Sequence, residues 1–143
     1  MSIDGGLRAL FKKHMPYVDF QPIETGGTGL GIPDTNGCFN GVECWIEFKQ
    51  TEAWNVTVRP GQVGWAERRL RHGGRVYLAT RRWHDGGVRK GDSQDELWLH
   101  HGRDTRGVSK FGLQKGPPPI VKFEGGPAKW KWPIIQLVLF SQQ

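Results

Sequence analysis

Three side chains in this sequence have the types and spacing to act on one phosphodiester. Glu47 and Lys49 stand two apart in a stretch where Val42, Cys44, Ile46 and Phe48 alternate with Glu43, Trp45, Glu47 and Lys49. Alternation of that period predicts a strand, so Glu47 and Lys49 leave one face together while the apolar set faces a core. Asp34 precedes them, and the turn residues Asn36-Gly37 and Asn40-Gly41 let the chain double back as a hairpin that brings Asp34 beside Glu47. Two adjacent carboxylates repel unless a cation lies between them, and hard oxygen ligands select Mg²⁺ or Mn²⁺. An ion held by Asp34, Glu47 and the carbonyl of Phe48 would polarise a phosphate and acidify a bound water. Lys49 would orient that water or balance the negative charge that develops.

The elements that must position these groups are legible in outline. Leu7, Ala9, Leu10 and Phe11, interleaved with Arg8, Lys12 and Lys13, predict a short amphipathic helix ending before Pro16. Tyr17 to Ile23 reads as a strand, followed by the glycine-rich loop Gly26 to Gly31 and by Pro33-Asp34, which opens the next strand. A further extended piece is expected from Asn55 to Arg59, and Pro60 suits the first position of a helix running to about His72. Val63, Ala66 and Leu70 form its apolar stripe, Arg68, Arg69 and Arg71 make it basic, and Gly73-Gly74 ends it. Val76 to Thr80 is apolar enough for a central strand, and Glu96 to His100 is another. The succession predicts an α/β domain with a central mixed β-sheet flanked by helices. Its core spans about residues 5–100, and 101–143 form an extension that ends in a helix or an added strand.

The composition agrees with a polyanionic partner. The chain has 143 residues, enough for a single domain, and a formal charge of +6. Arg68, Arg69, Arg71, Arg75, Arg81, Arg82 and Arg89 crowd one stretch that holds only Glu67 and Asp85 against them, which favours nucleic acid. Two cysteines, Cys38 and Cys44, are too few for a disulfide framework or a four-cysteine zinc site. No apolar signal core opens the chain, and its longest apolar run, Ile134 to Phe140, is short for a membrane helix. The expectation is a soluble cytoplasmic protein of a bacterial or phage-infected cell, with reduced thiols and no membrane partner.

Gly31-Ile32-Pro33-Asp34 followed by Trp45-Ile46-Glu47-Phe48-Lys49 resembles the signature of the PD-(D/E)xK nucleases. The order around it is similar to the archaeal-type Holliday junction resolvases and the phage-borne VRR-type nucleases. The likeness runs from about Phe20 to Thr80, through Gln62 in the basic helix and Gly73-Gly74-Arg75-Val76-Tyr77-Leu78. It implies a restriction-endonuclease-like fold and a Mg²⁺-dependent endonuclease of branched or structured DNA. It implies Asp34, Glu47, Lys49 and Gln62 at the site, and a homodimer that cuts a junction symmetrically. Many relatives carry a further glutamate on the first helix. This helix has none, only Asp4 stands near its start, and Glu24 is the candidate substitute, which leaves one or two metal ions open.

Other signals rank lower. Gly27-x-Gly29-x-Gly31 lacks the helix that a dinucleotide fingerprint needs. Adjacent on a strand, His100 and His101 point to opposite faces and are expected at the surface rather than on a metal. Trp65, three residues before Arg68 and six before Arg71, is the tryptophan expected to meet DNA with Arg68, Arg69 and Arg71. A restriction-like or nicking enzyme, or an inactive DNA-binding protein of the same fold, are the alternatives. An RNA-binding module ranks last, for want of aromatic ribonucleoprotein motifs on the strands.

Overall fold

A computed structural model describes residues 6–24, 31–84 and 94–142 of the chain. Asp4, Asp85, Arg89, Lys90 and most of the glycine-rich loop lie outside the described residues.

The elements are α1 (Leu7–His14), β1 (Asp19–Pro22), β2 (Thr35–Phe39), β3 (Val42–Thr51), α2 (Pro60–Arg71), β4 (Val76–His84), β5 (Gln94–His101), α3 (Thr105–Lys115), β6 (Val121–Phe123) and α4 (Trp132–Phe140). The strands form one six-stranded mixed sheet in chain order. All neighbours are antiparallel except β3 and β4, which run parallel because α2 carries the chain back between them. No helix among the described residues is long and apolar enough to cross a membrane.

The sheet separates two apolar layers, and alternation along its strands assigns each side chain to one of them. Cys44, Ile46 and Phe48 of β3 join Tyr77 and Ala79 of β4 in the larger layer, with Leu7 and Phe11 of α1 and Ile135 and Leu139 of α4. Phe11 meets Phe48 and Trp132 edge to face, at ring-centroid distances of 4.9 and 5.3 Å. On the opposite face Leu78 and Trp98 pack with Val63 of α2 and Val108 and Leu113 of α3. Glu47 and Lys49 emerge on that second face, under α2.

The β2–β3 hairpin turns at Asn40-Gly41, with Phe39 opposite Val42. Both turn residues have positive φ, 54° and 80°, as a two-residue turn matching strand twist requires. Asn36-Gly37 makes no turn. It lies inside β2, where Gly37 leaves room for the rings of Phe20 and Phe140.

Three further expectations are corrected. Asn55 to Arg59 forms no strand, since both edges of β3 are already taken by β2 and β4. Val56 and Val58 are nevertheless buried, and the segment is held by α3, where Leu113 N–H donates to the Trp54 carbonyl and Ser109 Oγ to that of Val58. His100 is fully buried rather than at the surface, stacked with Trp98 and hydrogen-bonded to the Pro117 carbonyl. The C-terminal stretch supplies both a strand, β6, and a helix, α4, so it completes the sheet and its larger core.

Candidate active site

Backbone register sets the centre of the site. Thr35 pairs with Ile46 across the hairpin, which puts Asp34 alongside Glu47. Asp34 N–H donates to Glu47 Oε2 at 3.2 Å, and Phe48 N–H donates to Asp34 Oδ2 at 3.2 Å. Each carboxylate is therefore oriented by the other strand's backbone. The segment leading to Asp34 is pressed against the start of α2. Gly31 has φ +83°, and a Cβ there would overlap the Gly61 carbonyl, so this close approach demands glycine.

Gln62, in the first turn of α2, joins the remaining pieces. Its Nε2 donates to Glu47 Oε1 at 2.8 Å, while its Oε1 accepts from Lys49 Nζ at 3.1 Å and from Arg59 N–H at 3.0 Å. The amide cannot flip without setting donor against donor, so Gln62 has one orientation and fixes the Lys49 ammonium. Lys49 Nζ lies 3.7 Å from Glu47 Oε1, both side chains being mostly buried.

Burial, and then the neighbouring charge of Asp34, push the Glu47 carboxyl up to about 7, and Lys49 offsets only part of this. A cation shared by Asp34 and Glu47 would remove the repulsion. The available donors, two carboxylates and the Phe48 carbonyl, are hard oxygens that fit Mg²⁺ or Mn²⁺. Among the described residues no cluster of three or more His, Cys, Asp or Glu side chains forms.

Glu24 is exposed and follows Ile23, whose N–H donates to the Asp34 carbonyl at 2.8 Å. That bond brings the end of β1 past Asp34 without placing the Glu24 carboxylate on Glu47. Two other residues do reach the site, and neither carries a local mark in the sequence. Thr35 Oγ1 donates to Asp34 Oδ1 at 2.9 Å, and Arg8 Nε, from the first turn of α1, donates to Thr35 Oγ1 at 3.0 Å. Arg8 Nη2 stands 4.0 Å from Asp34 Oδ1.

The basic helix presents Arg68, Arg69 and Arg71 to solvent. Trp65, expected to meet DNA, lies mostly inside the fold. Only 5% exposed, it packs on Trp45, Ala66 and Val76, because the sheet beneath α2 offers its ring more apolar contact than the surface does. Arg69 covers that pair, its guanidinium 4.6 Å from the Trp65 ring centroid and 5.4 Å from that of Trp45. No protein-family model matches the chain, and no curated protein or solved structure is significantly similar to it.

Proposed function

We propose that the protein is a Mg²⁺-dependent endodeoxyribonuclease with a restriction-endonuclease-like fold, acting on branched or structured DNA. The observation that carries this reading is the convergence of Asp34, Glu47, Lys49 and Gln62, by hydrogen bonds of 2.8–3.2 Å, at the junction of a hairpin and a basic helix. The order α1-β1-β2-β3-α2-β4, with β3 and β4 parallel, supports the fold assignment.

Asp34, Glu47 and the Phe48 carbonyl would hold the ion, which when bound supplies a Lewis acid and an acidified water. Lys49, aimed by Gln62, would orient a water beside the phosphate and balance the negative charge that develops there. Gln62 keeps Glu47 Oε1 engaged and leaves the carboxylate one orientation. Arg68 and Arg71, exposed on α2, grip the backbone away from the scissile bond. Symmetric cutting of a junction needs two such sites, hence a homodimer in the cytoplasm of a bacterial or phage-infected cell.

The test is cleavage of linear, nicked, flapped and four-way DNA with and without Mg²⁺, by the wild type and by Asp34→Ala. The expected result is Mg²⁺-dependent cutting, strongest on the branched substrate and lowered roughly 10³-fold or more by the substitution, with binding largely kept. Preference for linear DNA would instead favour a restriction-like or nicking enzyme. Wild-type cutting by Asp34→Ala would mean the site is misassigned.

A further inference from the structure

We infer that Arg8 occupies the outer side of Asp34 as a fixed cation, so that the site takes a single divalent ion and Arg8 itself grips the scissile phosphate. The inference rests on the nuclease reading above and deepens it.

The two oxygens of Asp34 face different partners. Oδ2 is turned to β3, where it accepts from Phe48 N–H at 3.2 Å. Oδ1 is turned to α1, where Thr35 Oγ1 donates to it at 2.9 Å and Arg8 Nη2 stands 4.0 Å away. A divalent ion between Asp34 and Glu47 would lie on the β3 side. A second ion, sharing Oδ1, would have to settle beside the Arg8 guanidinium. Among the described residues no third acidic ligand offsets that repulsion, since they form no cluster of three metal-binding side chains and the first turn of α1 holds no acid.

Arg8 is also placed to bind an anion. Its Nε is committed to Thr35 Oγ1, which fixes the plane of the guanidinium. Nη2, at 4.0 Å from Asp34 Oδ1, is too far for a hydrogen bond, and the side chain is 37% exposed. The guanidinium is therefore partly open to solvent beside Asp34. A planar fork of this kind binds phosphate oxygens in pairs, and the positive end of α1 adds to its field. Arg8 and Lys49 would then flank the phosphate, Arg8 from the α1 side of Asp34 and Lys49 from the α2 side of Glu47.

Two measurements test this together. Mn²⁺ binding is counted without DNA, from the electron paramagnetic resonance of the free ion, for the wild type, Arg8→Lys and Arg8→Glu. Single-turnover cleavage at saturating DNA and Mg²⁺ is followed for the wild type, Arg8→Ala and Arg8→Lys. One Mn²⁺ per chain is expected for the wild type and Arg8→Lys, and two for Arg8→Glu. Arg8→Ala should lose roughly 100-fold in rate at saturating DNA, with affinity falling by no more than one phosphate contact, and Arg8→Lys should recover part of both losses. Two ions on the wild type, one ion on Arg8→Glu, or full rate in Arg8→Ala each overturns the role of Arg8 and leaves the nuclease reading standing. No Mn²⁺ on the wild type at all overturns the metal-dependent reading, and this inference with it.

Discussion

Glu47 and Glu96 lie on the same face of the same sheet and are buried to a similar degree, their side chains 12% and 6% exposed, yet their surroundings differ in kind. Glu96, on β5, is fully answered. Arg82 Nη1 lies 3.2 Å from its Oε1, Lys122 Nζ 3.7 Å from its Oε2, and Trp98 Nε1 donates to Oε1 at 3.0 Å. Arg82 is held in turn by the Ala53 carbonyl and by Trp54, whose ring centroid is 3.7 Å from the guanidinium carbon. Glu47 has one ammonium at 3.7 Å and a second carboxylate as its neighbour. A carboxylate that serves the fold has its charge matched within the protein. One left under-matched is a place where a cation can bind.

The contrast can be broken by exchanging the two kinds of loss. Arg82→Ala strips Glu96 of its closest cation and leaves a buried charge poorly compensated, so it should cost about 3–5 kcal/mol of stability. Urea denaturation would measure it. Glu47→Ala should leave stability unchanged or raise it, while abolishing cleavage. A loss at Glu47 as large as that at Arg82 would make both sites structural and remove the distinction.

The second prediction sharpens the comparison through pH. In metal-free protein the Glu47 carboxyl holds its proton up to about pH 7, whereas the unfolded chain releases it near the ordinary value of 4.5. Between these values the folded state binds more protons, so stability is greatest at the acid end and falls as pH rises through 7. At about 1.4 kcal/mol per pKa unit, the loss attributable to Glu47 is up to roughly 3 kcal/mol. Denaturation in chelator at a series of pH values should show this decline in the wild type and a flatter profile in Glu47→Gln. Mg²⁺ should restore the wild type at pH 8. Equal slopes for the two proteins would mean that Glu47 is not strained by its surroundings.

The hairpin, β3, α2 and β4 were legible because their signals are local. Alternation marks Val42–Lys49, Asn-Gly marks the turn, and Pro60 and Gly73 bracket a helix that ends within a residue of its expected limit. The relation of Asp34 to Glu47 follows from the turn at Asn40-Gly41, whereas the same signal at Asn36-Gly37 misleads, because that pair lies inside β2. What could not be read depends on contacts distant in sequence. Arg8 reaches Asp34 only because Leu7 and Phe11 are drawn into the core beneath the hairpin. Arg82 and Glu96 meet through the β4–β5 register, and nothing near either residue announces the pairing. α3 escaped notice because Gly107, Ser109 and Gly112 dilute its pattern, and Gly112, at φ 81°, interrupts it to admit the Trp54 carbonyl. Trp65 illustrates the reverse case. Its spacing to Arg68 and Arg71 is that of a shared helix face, yet burial is decided by what lies across the interface, here Trp45 and Val76.

The smallest expected effect separates the arginines of α2 from one another. Arg68 and Arg71 are exposed, and Arg71 borders an open depression with Arg103. Glu67, the acid beside them, is neutralised by Arg106 at 2.8 Å, so the surface is left with a positive excess. Arg71 follows Gln62 by nine residues, or about 13 Å along the helix axis, a distance that in the proposed complex would reach backbone phosphates beyond the scissile one. Arg69 has a different task, because its guanidinium lies across Trp65 and Trp45 and its stem fills the space that a side chain at Gly74 would need. Arg68→Ala with Arg71→Ala should weaken binding to all DNA shapes alike. Each lost phosphate contact removes about 0.9 from the slope of log affinity against log salt, so the slope should flatten by up to ~2. Arg69→Ala should leave that slope nearly unchanged and cost about 1 kcal/mol of stability instead. An unaltered slope in the folded double variant would move the DNA path off α2, towards the exposed Lys129 and Lys131 that precede α4.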